Sequence, residues 1–148
     1  MTVKLINSSP SLSADELKSV ETSLGVSIPP ALRDMWLTNN GGELDEERRV
    51  YQNDKYELDV KYFLPVLHTK NEGIVKVEWL YNILVNDKKI LPATMLPFAI
   101  NGGGFPFCIN MNDGAVYFAN LESQKNIYLE QDLDSFVEKV ITEDEAWG

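Results

Sequence analysis

Met95-Leu96-Pro97-Phe98-Ala99-Ile100-Asn101-Gly102-Gly103-Gly104-Phe105-Pro106-Phe107-Cys108-Ile109-Asn110-Met111-Asn112-Asp113-Gly114-Ala115-Val116-Tyr117-Phe118 reads as two or three successive strands joined by turns. Phe98 and Ile100 lead into the glycine run, Phe107 to Ile109 resume an extended apolar pattern, and Val116 and Phe118 alternate. Asn112-Asp113-Gly114 is a strong hairpin signal, because these residue types accept the positive φ that a tight hairpin needs. A phosphate-binding glycine loop would instead open a helix and turn its N–H groups on the anion. The residues after Gly104 are strand-like and no Gly-Lys-Ser/Thr is present, so Gly102, Gly103 and Gly104 are assigned to a turn or bulge. Asn110 to Gly114 lacks the first acidic position and the closing Glu of a Ca²⁺ loop.

Downstream, Leu133, Phe136, Val137, Val140 and Ile141 recur at helical spacing behind the N-cap candidate Asp132, and Glu143-Asp144-Glu145 reads as a frayed acidic tail. Upstream, Ile74 to Leu84 is predicted helical. Leu58, Val60 and Tyr62 form a strand with one face buried, ending near Pro65. Glu43 to Tyr56 is polar and charged and reads as a long surface loop. A first helix is predicted from Ala14 to Leu24, with a Ser13/Glu16 capping box, a Leu12–Leu17 staple and Gly25 as its stop. Ile28-Pro29-Pro30 opens a second helix whose apolar face carries Leu32, Met35 and Trp36, and Asn39-Asn40-Gly41-Gly42 ends it. Helices, then a strand cluster, then a final helix argue for an α+β fold.

The 148 residues suit a single domain covering 1–148. One cysteine and one histidine leave no zinc ligand set and no disulfide framework. No apolar run approaches a membrane span, and the N-terminus lacks the apolar stretch of a signal peptide, which predicts a cytoplasmic protein. The formal net charge of −10 disfavours nucleic acid and anionic membranes and favours basic macromolecules as partners. His68 and Cys108 are the sole histidine and thiol, and nothing in the sequence brings them together as a nucleophilic pair. The acidic residues Glu43, Asp45, Glu46 and Glu47 lie in a predicted loop, where a catalytic carboxylate pair would lack a rigid support. The sequence therefore predicts no catalytic residue, no metal and no cofactor.

The order of landmarks carries further information. Helix Ala14–Leu24 leads through Gly25 to Ile28-Pro29-Pro30, then Leu32, Trp36 and Asn40-Gly41-Gly42. Trp79-Leu80-Tyr81, Leu96-Pro97-Phe98-Ala99, Asn101-Gly102-Gly103-Gly104, Phe107-Cys108-Ile109, Gly114-Ala115-Val116-Tyr117-Phe118 and Ser135-Phe136 follow. In this order, across about residues 13–141, they resemble the SMI1/KNR4 family of the SUKH superfamily. The chain departs from the family's common pattern at Asn101, Phe105 and Asn110. The resemblance implies an α+β domain with one curved, mainly antiparallel sheet flanked by helices, and no enzymatic activity. Bacterial members are immunity proteins that neutralise a cognate polymorphic toxin, often a nuclease, and fungal members are regulatory interaction proteins. The short single-domain chain is more similar to the bacterial kind. The expected partner is then a basic toxin domain, met by a monomer or weak dimer through Glu43, Asp45, Glu46 and Glu47. The alternative is a regulatory or scaffold module for an endogenous protein.

Overall fold

The computed structural model describes residues 3–148. In chain order the elements are β1 (Leu5–Ile6), α1 (Ala14–Leu24), α2 (Pro30–Thr38), β2 (Glu43–Leu44), β3 (Val50–Gln52), β4 (Glu57–Asp59), β5 (Tyr62–Phe63) and α3 (Val77–Tyr81). A π-helical turn over Asn82–Asp87 extends α3, and β6 (Met95–Ile100), β7 (Pro106–Asn110), β8 (Val116–Asn120), β9 (Lys125–Glu130), α4 (Leu133–Glu138), β10 (Val140–Ile141) and α5 (Glu143–Trp147) follow. The α+β class read from the sequence is the observed class. The antiparallel strands divide into a five-stranded sheet β5-β6-β7-β8-β9, a three-stranded sheet β10-β3-β4 and the pair β1-β2.

The five-stranded sheet keeps its strands in chain order; short turns join β6 to β9, and the long connection from β5 to β6 carries α3. The glycine run is the turn between β6 and β7, and Asn112-Asp113-Gly114 lies in the turn between β7 and β8, with Gly114 at φ 79°. All six residues of β6 are buried, which explains its unbroken apolar run. Phe136 of α4 joins the two larger sheets. Its ring lies 5.0 Å from Tyr51 of β3, 5.2 Å from Phe107 of β7 and 5.6 Å from Phe98 of β6, in stacked, tilted and edge-on geometries that aromatic pairs favour.

The two N-terminal helices follow local signals. Ser13 accepts from the Glu16 N–H while Glu16 accepts from the Ser13 N–H, and Gly25 caps α1 at φ 68°. Trp36 is buried to 1% exposure and its indole N–H donates to the Leu64 carbonyl at 3.0 Å, as a core anchor. Asn40 does more than stop α2. Its buried amide donates to the carbonyls of Pro10 and Val66, each at 2.9 Å, and its Oδ1 accepts from the Val66 N–H at 2.7 Å, tying three segments together.

Five expectations are corrected. Glu43 to Tyr56 is not a free loop: it contains β2 and β3, with Leu44, Val50 and Tyr51 buried. The helix expected over Ile74–Leu84 begins at Val77 and passes into the π-helical turn after Tyr81. The last amphipathic helix stops at Glu138, because Val140 and Ile141 pair with Tyr51 and Val50 as a strand. The tail is not frayed: Thr142 and Glu145 form a second capping box that starts α5. The strand through Leu58 and Tyr62 also changes sheets midway, since the Val60 N–H goes to Arg49 and the Lys61 N–H to Ile100, both at 2.8 Å.

Candidate functional site

Pairing of β10 with β3 decides what lies near the acidic turn. The N–H of Arg49 reaches the Ile141 carbonyl at 3.0 Å, and that of Gln52 reaches Lys139 at 3.1 Å. These bonds set the start of α5 beside the turn between β2 and β3. Glu47, Arg49, Thr142, Glu143 and Asp144 line one cleft of about 320 Å³. An adjoining cleft of about 310 Å³ is lined by the carboxylates of Glu43, Asp59 and Glu143, by Arg49 and Lys61, by Val50 and Val60, and by Trp147. Trp147 is 62% exposed, and its indole N–H is held by the carboxylate of Glu57.

The four acidic residues singled out in the sequence therefore divide into two kinds. Glu43 is half-buried on β2, pairs with Arg49 at 3.5 Å and accepts from the Asn7 amide at 3.1 Å. Asp45 pairs with Arg48 at 3.4 Å. Both contacts are long and solvated, so each contributes at most about 1 kcal/mol, yet each lowers the charge shown to a partner. Glu46 and Glu47 are exposed and carry no ion pair among the described residues. They occupy the left-handed region at φ 58° and 56°, which places both at the tip of a tight turn. Glu143, Asp144 and Trp147 complete the face. The sequence hinted at α5 through the Thr142-x-x-Glu145 capping pattern, but their proximity to Glu47 depends on a strand pairing across about 90 positions.

No nucleophilic arrangement is assembled from the lone histidine and thiol. His68 meets the Glu16 carboxylate at 2.7 Å. Cys108 is fully buried in β7, where burial pushes its thiol pKa up and suppresses the reactive thiolate. The glycine turn is closed to anions by its own hydrogen bonds. The Gly102 N–H donates to Asp59 at 2.6 Å, those of Gly103 and Phe105 donate to the Asn101 side chain at 3.0 and 2.9 Å, and that of Gly104 donates to the Asn101 carbonyl at 3.1 Å. Among the described residues no group of three or more His, Cys, Asp or Glu is placed to hold a metal ion. No helix among them is long and apolar enough to cross a membrane.

The sequence model of the SMI1 / KNR4 family (SUKH-1) matches residues 11–139, nearly the whole chain and stopping just before β10 and α5. No protein of curated description matches the chain.

Proposed function

Because the chain belongs to the SMI1/KNR4 family (SUKH-1), we propose that it is a non-enzymatic immunity protein that binds and neutralises a basic toxin domain in the cytoplasm of the cell that makes it. The observation that carries the reading is the meeting of Glu47, at the tip of the β2–β3 turn, with Glu143 and Asp144 of α5, beside the exposed Trp147. A nuclease toxin is basic where it binds its polyanionic substrate, so clustered carboxylates occupy that surface as phosphates would. Rim charges steer encounter, and a partly exposed tryptophan supplies the apolar contact that holds a complex once formed.

The test is a set of variants measured by surface plasmon resonance against the partner recovered by pull-down from the native strain. Reversal of Glu46, Glu47, Glu143 and Asp144 to Lys is expected to slow association and flatten its salt dependence, with the melting temperature nearly unchanged. Screening over about 8 Å at physiological ionic strength sets the salt range. Trp147→Ala is expected to speed dissociation. A charge-reversed variant that associates as fast as wild type at low salt overturns this docking face. Recovery of an endogenous partner without toxicity assigns the chain to the regulatory kind.

A further inference from the structure

We propose that the cavity beside β1, β2 and β5 binds a small carboxylate carried on a short apolar body. The cavity has a volume of about 220 Å³. Apolar cavities of about 150 Å³ accept benzene, so there is room here for a ring and a short acid chain. Tyr62, Phe63, Pro65 and Ile74 supply the apolar walls, and Lys61 and Lys70 supply the positive charge.

The lysines are placed by the fold. The Lys70 ammonium donates to the Asn7 carbonyl at 2.8 Å, and its backbone N–H donates to the Ser9 hydroxyl at 3.2 Å. The Lys61 ammonium lies 6.0 Å from the centre of the Tyr62 ring. Neither ammonium meets a carboxylate among the described residues. Glu43 also lines the cavity, but it is already matched by Arg49 and the Asn7 amide. On a chain of net charge −10, two cations thus face one carboxylate within this cavity. An apolar chamber with a few convergent polar groups is the ordinary form of a small-molecule site, and an ammonium–carboxylate contact is among the stronger hydrogen bonds available to it. The cavity shares Glu43 and Lys61 with the cleft beside Trp147, so it adjoins the docking face, but its chemistry does not depend on that face.

The probe is 3-phenylpropionate, titrated into the ¹⁵N-labelled protein and followed by heteronuclear NMR, with 3-phenylpropanamide as the neutral control. Saturable shifts at Gly42, Phe63 and Lys70 are expected with the acid and much weaker ones with the amide. Lys61→Gln and Lys70→Gln are each expected to weaken binding about tenfold, the effect of losing one charged hydrogen bond. Lys125→Gln, on β9, is expected to leave it unchanged. N-acetyl-Gly-Phe with a free or amidated C-terminus separates the two sources of such a carboxylate: binding of the free-ended peptide supports a chain terminus, and binding of phenylpropionate alone supports a free metabolite-sized acid. Equal shifts with acid and amide, absence of saturation, or lysine variants that bind like wild type overturn the site.

Discussion

The Tyr51 hydroxyl donates to a carboxylate oxygen of Glu130 at 2.5 Å, across 79 positions of sequence. The other oxygen of Glu130 accepts from the Lys139 ammonium at 3.1 Å, and the Asn53 amide donates to the Tyr51 hydroxyl at 2.7 Å. A carboxylate only 7% exposed is stable there because donors meet both of its oxygens.

Tyr51→Phe keeps the ring stacked on Phe136 and removes one donor from Glu130. Leaving a buried acceptor short of a partner costs about 1–3 kcal/mol, which urea denaturation measures as a lower midpoint at unchanged slope. Burial and the neighbouring carboxylate also raise the Tyr51 pKa above its ordinary value of 10.0. The folded state then holds this proton to higher pH than the unfolded state does. The contribution is whole below pH 10 and declines as pH rises beyond it, and Tyr51→Phe is expected to make the alkaline loss of stability shallower. An unchanged midpoint and an unchanged alkaline limb would contradict this account.

Two glycines with positive φ are expected to differ sharply on substitution. Gly104, at φ 83°, has nothing within 4 Å of where a Cβ would stand, so Gly104→Ala meets only the backbone penalty, about 1–2 kcal/mol. Gly42, at φ 121°, would set a Cβ 2.3 Å from the Ile6 carbonyl oxygen. Its backbone also exchanges hydrogen bonds with Phe63 at 3.0 and 2.7 Å, so relief by movement would break the link between β2 and β5. Gly42→Ala is expected to lower the melting temperature much more than Gly104→Ala, and equal melting temperatures would sink the distinction.

Acid stability is expected to rest on Glu16, Glu21 and Asp132. Hydrogen bonds from the backbone N–H groups of Ser13, Ile28 and Ser135, respectively, hold their pKa values below the ordinary 4.5, 4.5 and 3.8. His68 adds to the effect at Glu16 and Arg33 to that at Glu21. A depressed carboxyl pKa means that the unfolded state takes up protons first as pH falls. Stability from these groups is complete above about pH 5 and is lost below it. Glu21→Gln is expected to flatten the acid limb between pH 5 and 3, followed by thermal melts at each pH. A limb as steep as that of wild type would move the effect elsewhere.

What the sequence revealed follows the range over which each signal acts. Ser13 with Glu16, Gly25, Asp132 and the Asn112-Asp113-Gly114 turn act within a few residues, and each does in the structure what its chemistry requires. β2 and β3 are not legible in the sequence because five charged residues separate Leu44 from Val50 and Tyr51, and their apolar faces are completed by partners far along the chain. Val140 and Ile141 continue the helical spacing of Leu133 and Phe136, yet pairing with β3 overrides that period. The acidic face was half legible: the charge run is visible at Glu43 to Glu47, but the pairing of Glu43 and Asp45 with Arg49 and Arg48, and the nearness of α5, are properties of the folded chain.

The position of β3 between β4 and β10 bears on the order of events during synthesis on the ribosome. The hairpins of β6 to β9 close over short turns and can form as soon as each strand has emerged. β3 emerges early but obtains its second neighbour only after Ile141 has been translated. Until then Val50 and Tyr51 lack the β10 strand. The β3–β4 hairpin is thus the first part of the three-stranded sheet to be made and the last to be completed.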